Sequence, residues 1–268
     1  MTSEKRRIRL LIEFDGTDFC GWAEQRGLRT VKGTLKSCIR QICGEEVDLR
    51  GASRTDSGAH AKGFVADFAS ANPMPTENWK LAINRQAGPA IRILDAVEVS
   101  KDFHSRFYAR SRVYEYRIAE SEHVDPRRAR FVYGTFRKLD VEKMRKAAAA
   151  LVGRNDFRAF GEELDGVENT LRDVKAISVR RMRDEVRIRI EATAFLRGMV
   201  RRIAGGLMEV GYGKRSLRDF GALLDPAKRG SIKWPVVLPA KGLTLLKVKY
   251  GRQLRDLRKT NDFVDGDE

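Results

Sequence analysis

Between residues 51 and 64 the chain reads GASRTDSGAHAKGF, a run holding an arginine, small hydroxyl residues, an aspartate, a turn glycine and a histidine, with no large apolar side chain before Phe64. Asp56 stands between Thr55 and Ser57, with Gly58 two positions on. Asp-Ser-Gly reads as a turn that presents a carboxylate at its apex. Such a carboxylate has two uses. It caps the turn by accepting backbone N–H groups, or it is a reagent that attacks as a nucleophile or takes a proton. Local side-chain chemistry leaves both open.

Partners for a reagent are present elsewhere in the chain. Arg197 and Arg201 lie four apart, hence on one helical face, while Phe195, Met199, Ile203, Leu207 and Val210 supply an apolar face. Arg202 adjoins them. These arginines are read either as a solvated basic edge or as partners for a carboxylate in a cleft, since a buried arginine needs one. Gly205 and Gly206 weaken that helix by roughly 1 kcal/mol each relative to alanine, so a close neighbouring backbone is expected there. Tyr114 and Tyr116 alternate along a strand and are ordinary core residues on that ground. Arg110, Arg112 and Arg117 surround them, and aromatics among arginines also suit base stacking beside phosphates. His60 and His104 are open between phosphate or base contact and a structural role.

The elements that must position these residues follow from periodicity. Alternation over 8–14 predicts a strand ended by Asp15-Gly16. Thr30 caps a helix carrying Val31, Leu35, Cys38, Ile39 and Ile42, stopped by Gly44. Strands over 47–52 and 63–68 deliver and remove the Asp56 turn, a helix spans 77–84, and a strand spans 91–100. The second half repeats the order: a strand over 112–118, a basic linker over 125–130, a helix from Asp140 to Gly153, and a hairpin of 174–181 with 186–192. Helices over 195–210 and 217–224 then lead to a strand over 243–250. Two βαββαβ units predict an α+β fold of two ferredoxin-like pseudo-repeats, with a central antiparallel sheet, helices on one face and a basic RNA-binding cleft on the other. Residues 1–108 form the first repeat, 109–252 the second, and 253–268 a frayed tail.

Composition narrows the function classes. With 268 residues, 42% hydrophobic, the chain builds a sizeable core, and 53 Lys+Arg against 37 Asp+Glu give a net charge of +16, the footprint of a protein that meets a polyanion. The start MTSEKRRIRLLIEFDG is broken by Arg9 and Glu13 and reads neither as a signal peptide nor as a membrane span. Cys20, Cys38 and Cys43 form no disulfide framework and point to a reducing compartment, so a cytoplasmic protein is expected. Scattered His60, His104 and His123 with no C-x-x-C pair argue for no metal.

GASRTDSGAHAKG resembles the catalytic segment of the TruA family of tRNA pseudouridine synthases. The likeness extends to Glu13-Phe14-Asp15-Gly16, Gly21-Trp22, Asp102 to Phe107, Arg112 to Tyr116, Asn155-Asp156-Phe157, Ala194-Phe195, and Met199-Val200-Arg201 through Gly211, closing with Gly242 to Leu245. It covers nearly the whole chain. Ala23 stands where the family usually has glutamine, Cys20 replaces an aromatic, and Ala59 replaces a common valine.

The resemblance implies an isomerase that converts uridine to pseudouridine at positions 38, 39 and 40 of the tRNA anticodon arm, working as a homodimer without metal or cofactor. It assigns Asp56 as the catalytic carboxylate, Arg201 as its partner, Tyr114 as the ring that stacks on the target uracil, and Arg54 as the wedge that fills the space of an extruded nucleotide. His60, Arg106 and Arg112 join the expected RNA contacts. Two alternatives stand beside this: a relative with a different or narrower target, for which the Cys20 to Ala23 loop speaks, and a non-catalytic RNA-binding module, against which Asp56, Tyr114 and Arg201 together speak.

Overall fold

The computed structural model describes residues 4–121 and 123–251; the expected tail over 253–268 lies outside the described residues. The first half runs β1 (Arg6–Phe14), α1 (Val31–Cys43), β2 (Arg50–Gly51), β3 (His60–Ser70), α2 (Thr76–Gln86) and β4 (Ile91–Val99). The second runs β5 (Ala109–Ala119), β6 (Tyr133–Gly134), α3 (Val141–Ala149), β7 (Gly153–Asp156), β8 (Leu171–Met182), β9 (Glu185–Ala192), α4 (Met199–Gly211), α5 (Leu217–Ala222) and β10 (Leu243–Tyr250). All ten strands belong to one sheet, ordered β4-β1-β3-β10-β5-β9-β8-β7, with β2 also on β3 and β6 also on β5. The fold is thus mixed α+β around a large central sheet.

Most neighbours pair antiparallel, as the alternation implies. Two do not: β10 lies parallel to β3, through Thr244↔His60 and Leu245↔Ala61, and β6 lies parallel to β5. The halves therefore meet on a short parallel junction, a departure from the wholly antiparallel sheet expected. Within β1 the alternating Ile8, Leu10, Ile12 and Phe14 are all buried, which fixes its register against β3 and β4. Caps act where the sequence places them. Thr30 Oγ1 accepts from the Gly33 N–H at 3.2 Å, Gly44 ends α1 at φ 73°, and Asp140 Oδ1 accepts from the Lys143 N–H at 3.0 Å.

Several boundaries differ from the periodicity reading, two of them near the Asp56 segment and α4. Only Arg50–Gly51 of the expected 47–52 strand pairs with β3, although Val47 and Leu49 are buried. The helix expected from Phe195 begins at Met199, because Gly198 takes a left-handed φ of 67° at its N-cap and leaves residues 193–198 as a loop. Strands β6 and β7 are additional and too short to carry a period. The expected close approach at α4 is present: a Cβ on Gly205 would lie 2.0 Å from the Val236 carbonyl oxygen, and one on Gly206 would lie 2.7 Å from the Phe220 ring. Residues 234–238 are thereby laid across α4.

A buried ion cluster ties β5, β9 and the 125–130 linker together. Glu185, 2% exposed, accepts from Arg117 at 2.6 and 2.9 Å, from Arg187 at 3.2 Å and from Arg128. Burial alone would raise its pKa; the guanidinium hydrogen bonds and charges of Arg117 and Arg128 outweigh that and hold it down at about 2. No helix among the described residues is long and apolar enough to cross a membrane.

Candidate active site

The Asp56 turn hangs between β2 and β3 and is braced from behind. Ala59 N–H donates to the Asp56 carbonyl at 3.1 Å, closing a turn whose third residue, Gly58, has φ 78°, a value that glycine accepts without strain. The loop after β1 backs it. The Trp22 N–H donates to the Thr55 carbonyl at 3.2 Å and the Gly58 N–H to the Phe19 carbonyl at 3.2 Å. Gly16 and Gly21 permit this approach, since a Cβ there would meet the Ala59 and Thr55 carbonyl oxygens at 1.9 and 2.7 Å. The glycines and tryptophan around Cys20 and Ala23 thus form a rigid backing rather than a surface of their own.

The carboxylate itself takes no local backbone bond. Asp56 Oδ2 accepts from Arg201 Nε at 2.8 Å, across 145 residues, and Oδ1 accepts nothing among the described residues. Asp56 therefore does not cap its own turn; its side chain is turned to Arg201 instead. Arg201 projects from the first turn of α4, and its main chain is held by the Leu238 N–H at 3.4 Å.

Tyr114 arrives from β5, paired with Leu245 of β10 and Ile190 of β9. Its hydroxyl lies 2.7 Å from Ser53 Oγ, three residues from Asp56, and Phe195 packs edge-on against its ring with centroids 5.0 Å apart. Burial, reinforced by the Asp56 charge and opposed by the Ser53 bond and by Arg112, pushes the phenol up to about 12. It is a neutral ring and hydroxyl throughout the physiological range. Arg54 is exposed and makes no hydrogen bond or ion pair among the described residues. Arg106 is likewise exposed, 5.8 Å from the centroid of an outward-facing Phe107 ring.

Two expected RNA contacts are corrected. His60 is 2% exposed and both ring nitrogens are taken: Nδ1 accepts from the Gly16 N–H at 3.1 Å and Nε2 faces the Arg130 carbonyl at 2.8 Å, with Asp15 Oδ1 3.2 Å from Nδ1. Burial lowers its pKa against the pull of Asp15. It is a structural histidine that joins β3 to the loop after β1 and to the linker. Arg112 is buried too and spends its guanidinium on main-chain carbonyls: Ala52 at 2.9 and 3.3 Å, Arg106 at 2.9 Å, Thr193 at 2.8 Å and Ala109 at 3.4 Å. It fastens the Asp56 loop to the 103–109 loop and to the approach of α4 and has no donor left for phosphate. One residue that the sequence did not mark enters the site. Glu162 Oε2 accepts from Arg201 Nη2 at 2.6 Å. Its run, GEELDG, has no periodicity to single it out.

The chain matches the family described as tRNA pseudouridine synthase over residues 10–108 and 147–251, which includes Asp56, Glu162 and Arg201. It is 36% identical over 245 residues to the tRNA pseudouridine synthase A of Clostridium kluyveri, covering 91% of this chain and all of that one. The Acetivibrio thermocellus protein of that name is 37% identical over 245 residues and the Brevibacillus brevis one 37% over 248, each covering 91% of this chain and all of its own. Matches of this extent, with Asp56 and Arg201 inside them, place the chain in the class of the pseudouridine synthases. Within that class the chain belongs to the TruA family of tRNA pseudouridine synthases.

Proposed function

We propose that this chain isomerises uridine to pseudouridine at positions 38, 39 and 40 of the tRNA anticodon stem-loop, with Asp56 as reagent, Arg201 as its partner, Tyr114 as the stacking surface for the target uracil, and Arg54 as the wedge. The observation that carries the reading is the Asp56–Arg201 pair, formed across the two halves of a family member beside the Tyr114 hydroxyl. In this isomerisation the N1–C1′ bond breaks, the uracil turns, and C5 joins C1′. The proton on C5 leaves and N1 gains one, so no atom is added or lost. A carboxylate serves as nucleophile at the sugar or the base, or as a base on the sugar, and each route needs it held in place with one oxygen unspent. Asp56 has Oδ2 on Arg201 and Oδ1 free of protein partners among the described residues. Reaction at C1′ and C5 is blocked in a stacked stem, so the nucleotide must be extruded at a cost of a few kcal/mol. Phosphate contacts from a +16 chain offset that cost and weaken as salt rises.

The architecture supports two ferredoxin-like repeats divided after residue 108. Strand order β4-β1-β3-β2 in the first half and β10-β5-β9-β8 in the second is the same permutation of a βαββαβ unit. On this reading the helices cover one face and the other forms a basic cleft, with Asp56 on one wall and Tyr114 and Arg201 on the other. The enzyme acts as a cytoplasmic homodimer and needs neither metal nor cofactor.

Mapping pseudouridines by carbodiimide adducts and reverse-transcription stops, on tRNA from cells with and without this protein, tests the target. Loss of signal at positions 38 to 40 without the protein is expected, and unchanged signal there overturns the assignment. Asp56→Asn lowers turnover by roughly 10³-fold or more while tRNA affinity stays within a few fold. Retained turnover removes Asp56 from the mechanism.

A further inference from the structure

Arg201 holds two acids at once. Its Nε donates to Asp56 Oδ2 at 2.8 Å and its Nη2 to Glu162 Oε2 at 2.6 Å, so the carboxylates sit on one planar guanidinium. Its Nη1 reaches the Leu238 carbonyl at 3.4 Å. Glu162 is itself fixed in place. Its N–H donates to the Arg197 carbonyl at 2.9 Å, and its carboxylate lies directly on Gly198, where a Cβ would fall 2.0 Å from Oε2. Arg202 flanks the other oxygen at 4.0 Å. The glycine that starts α4 thus leaves the room in which Glu162 reaches Arg201, and the main chain of the same loop clamps Glu162 there.

An arginine held by one monodentate contact keeps much of the roughly 2 kcal/mol of rotamer entropy that its side chain carries. A second charge-assisted bond on another nitrogen fixes the plane of the guanidinium as well as its distance. With the partly buried Arg201 and Glu162 side chains 17% and 26% exposed, this pair is less screened than a surface ion pair. We propose that Glu162 is a positioning residue that holds the guanidinium of Arg201 with its Nε edge on Asp56 before RNA arrives, and that Gly198 is small in order to admit it. The proposal rests on the reading of Asp56 as the reagent.

The test uses the full-length protein and the isosteric Glu162→Gln. In single-turnover reactions with tRNA the variant reacts about tenfold more slowly, the scale of losing the charge in a charge-assisted bond, with KM for tRNA within twofold. In an Arg201→Lys background Glu162→Gln has no further effect, because Glu162 acts only through Arg201. Independently of turnover, the Nε–H resonance of Arg201 in protein labelled with ¹⁵N-arginine, assigned by its loss in Arg201→Lys, exchanges with solvent faster in Glu162→Gln. A wild-type rate, an equal loss in both backgrounds, or unchanged protection of the Arg201 Nε–H overturns the proposal. The exchange measurement needs no turnover, so failure of the proposal is distinguishable from failure of the functional reading.

Discussion

Two arginine–carboxylate clusters, around Arg201 and around Glu185, have opposite hydrogen-bond stoichiometry. At the site one arginine, Arg201, donates to two carboxylates, and Asp56 keeps an oxygen unspent among the described residues. At the linker one carboxylate, Glu185, serves three arginines, and both its oxygens are taken. The first cluster is built on a turn and a helix start, with the Asp56 side chain 21% exposed; in the second, the Glu185 side chain on β9 is 2% exposed under arginines from β5, β9 and the linker. A carboxylate surplus leaves a group available for chemistry, whereas an arginine surplus consumes the acid. On the proposed reading the same two residue types make a reagent in one place and a rivet in the other, and what separates the two carboxylates is the count of partners and the access of solvent.

The largest effect that bears on this contrast comes from removing the shared cation. Arg201→Ala lowers single-turnover rate on tRNA by roughly 10²-fold, the scale for loss of a preorganised electrostatic partner, while affinity for tRNA changes little. A rate within threefold of wild type would mean that Asp56 works without its arginine. Next is the free guanidinium. Arg54→Ala slows reaction at uridines in a paired stem by about tenfold and at a loop uridine by less, because only the paired base must be extruded; equal slowing at both detaches Arg54 from extrusion. Smaller still is Tyr114→Phe, which keeps the ring and its packing on Phe195 and loses the Ser53 contact. A reduction of only a few fold is expected, about the worth of one neutral hydrogen bond, and a loss as large as that of Arg201→Ala would place the hydroxyl among the reacting groups.

Glu185→Gln sharpens the contrast from the other side. Its turnover per folded molecule stays within twofold of wild type, while stability falls by about 2 kcal/mol for the lost charged hydrogen bonds, a melting shift of about 5 °C. The pH dependence has a definite sign. The folded state holds Glu185 at about 2 against an ordinary 4.5, so its contribution is full above 4.5 and is lost as pH falls through about 2. Chemical denaturation of both proteins across that window should show the wild-type advantage constant above pH 4.5 and shrinking below it. An advantage that persists at pH 2 would remove the charge from the explanation.

Much of this was legible in the residues. Alternation placed β1 and β9 to within two residues, and capping residues placed the ends of α1 and the start of α3, because these signals are local. The family pattern singled out Asp56, Tyr114 and Arg201, and the fold pairs Asp56 with Arg201 and sets the Tyr114 hydroxyl on Ser53 of the same loop. His60 and Arg112 were misread for one physical reason: a basic side chain near a catalytic segment is written identically whether it faces solvent or a set of main-chain carbonyls. Glu162 left no signal, since its role depends on the room above Gly198, and that glycine also ended the helical pattern short of Phe195. Spatial relations of this kind belong to the folded chain alone.

The parallel junction at β10 has a consequence for the order in which the protein is made. In the sheet, β10 is the strand that lies between β3, which follows the Asp56 turn, and β5, which carries Tyr114. Residues 243–250 are also the last paired segment to leave the ribosome among those described. A nascent chain can complete β1, β3 and β4 early, yet β3 and β5 stay unjoined in the sheet until that strand emerges and inserts. Translation that stops short of it is expected to leave the two halves without their shared strand, so competence should arrive only once synthesis has passed β10.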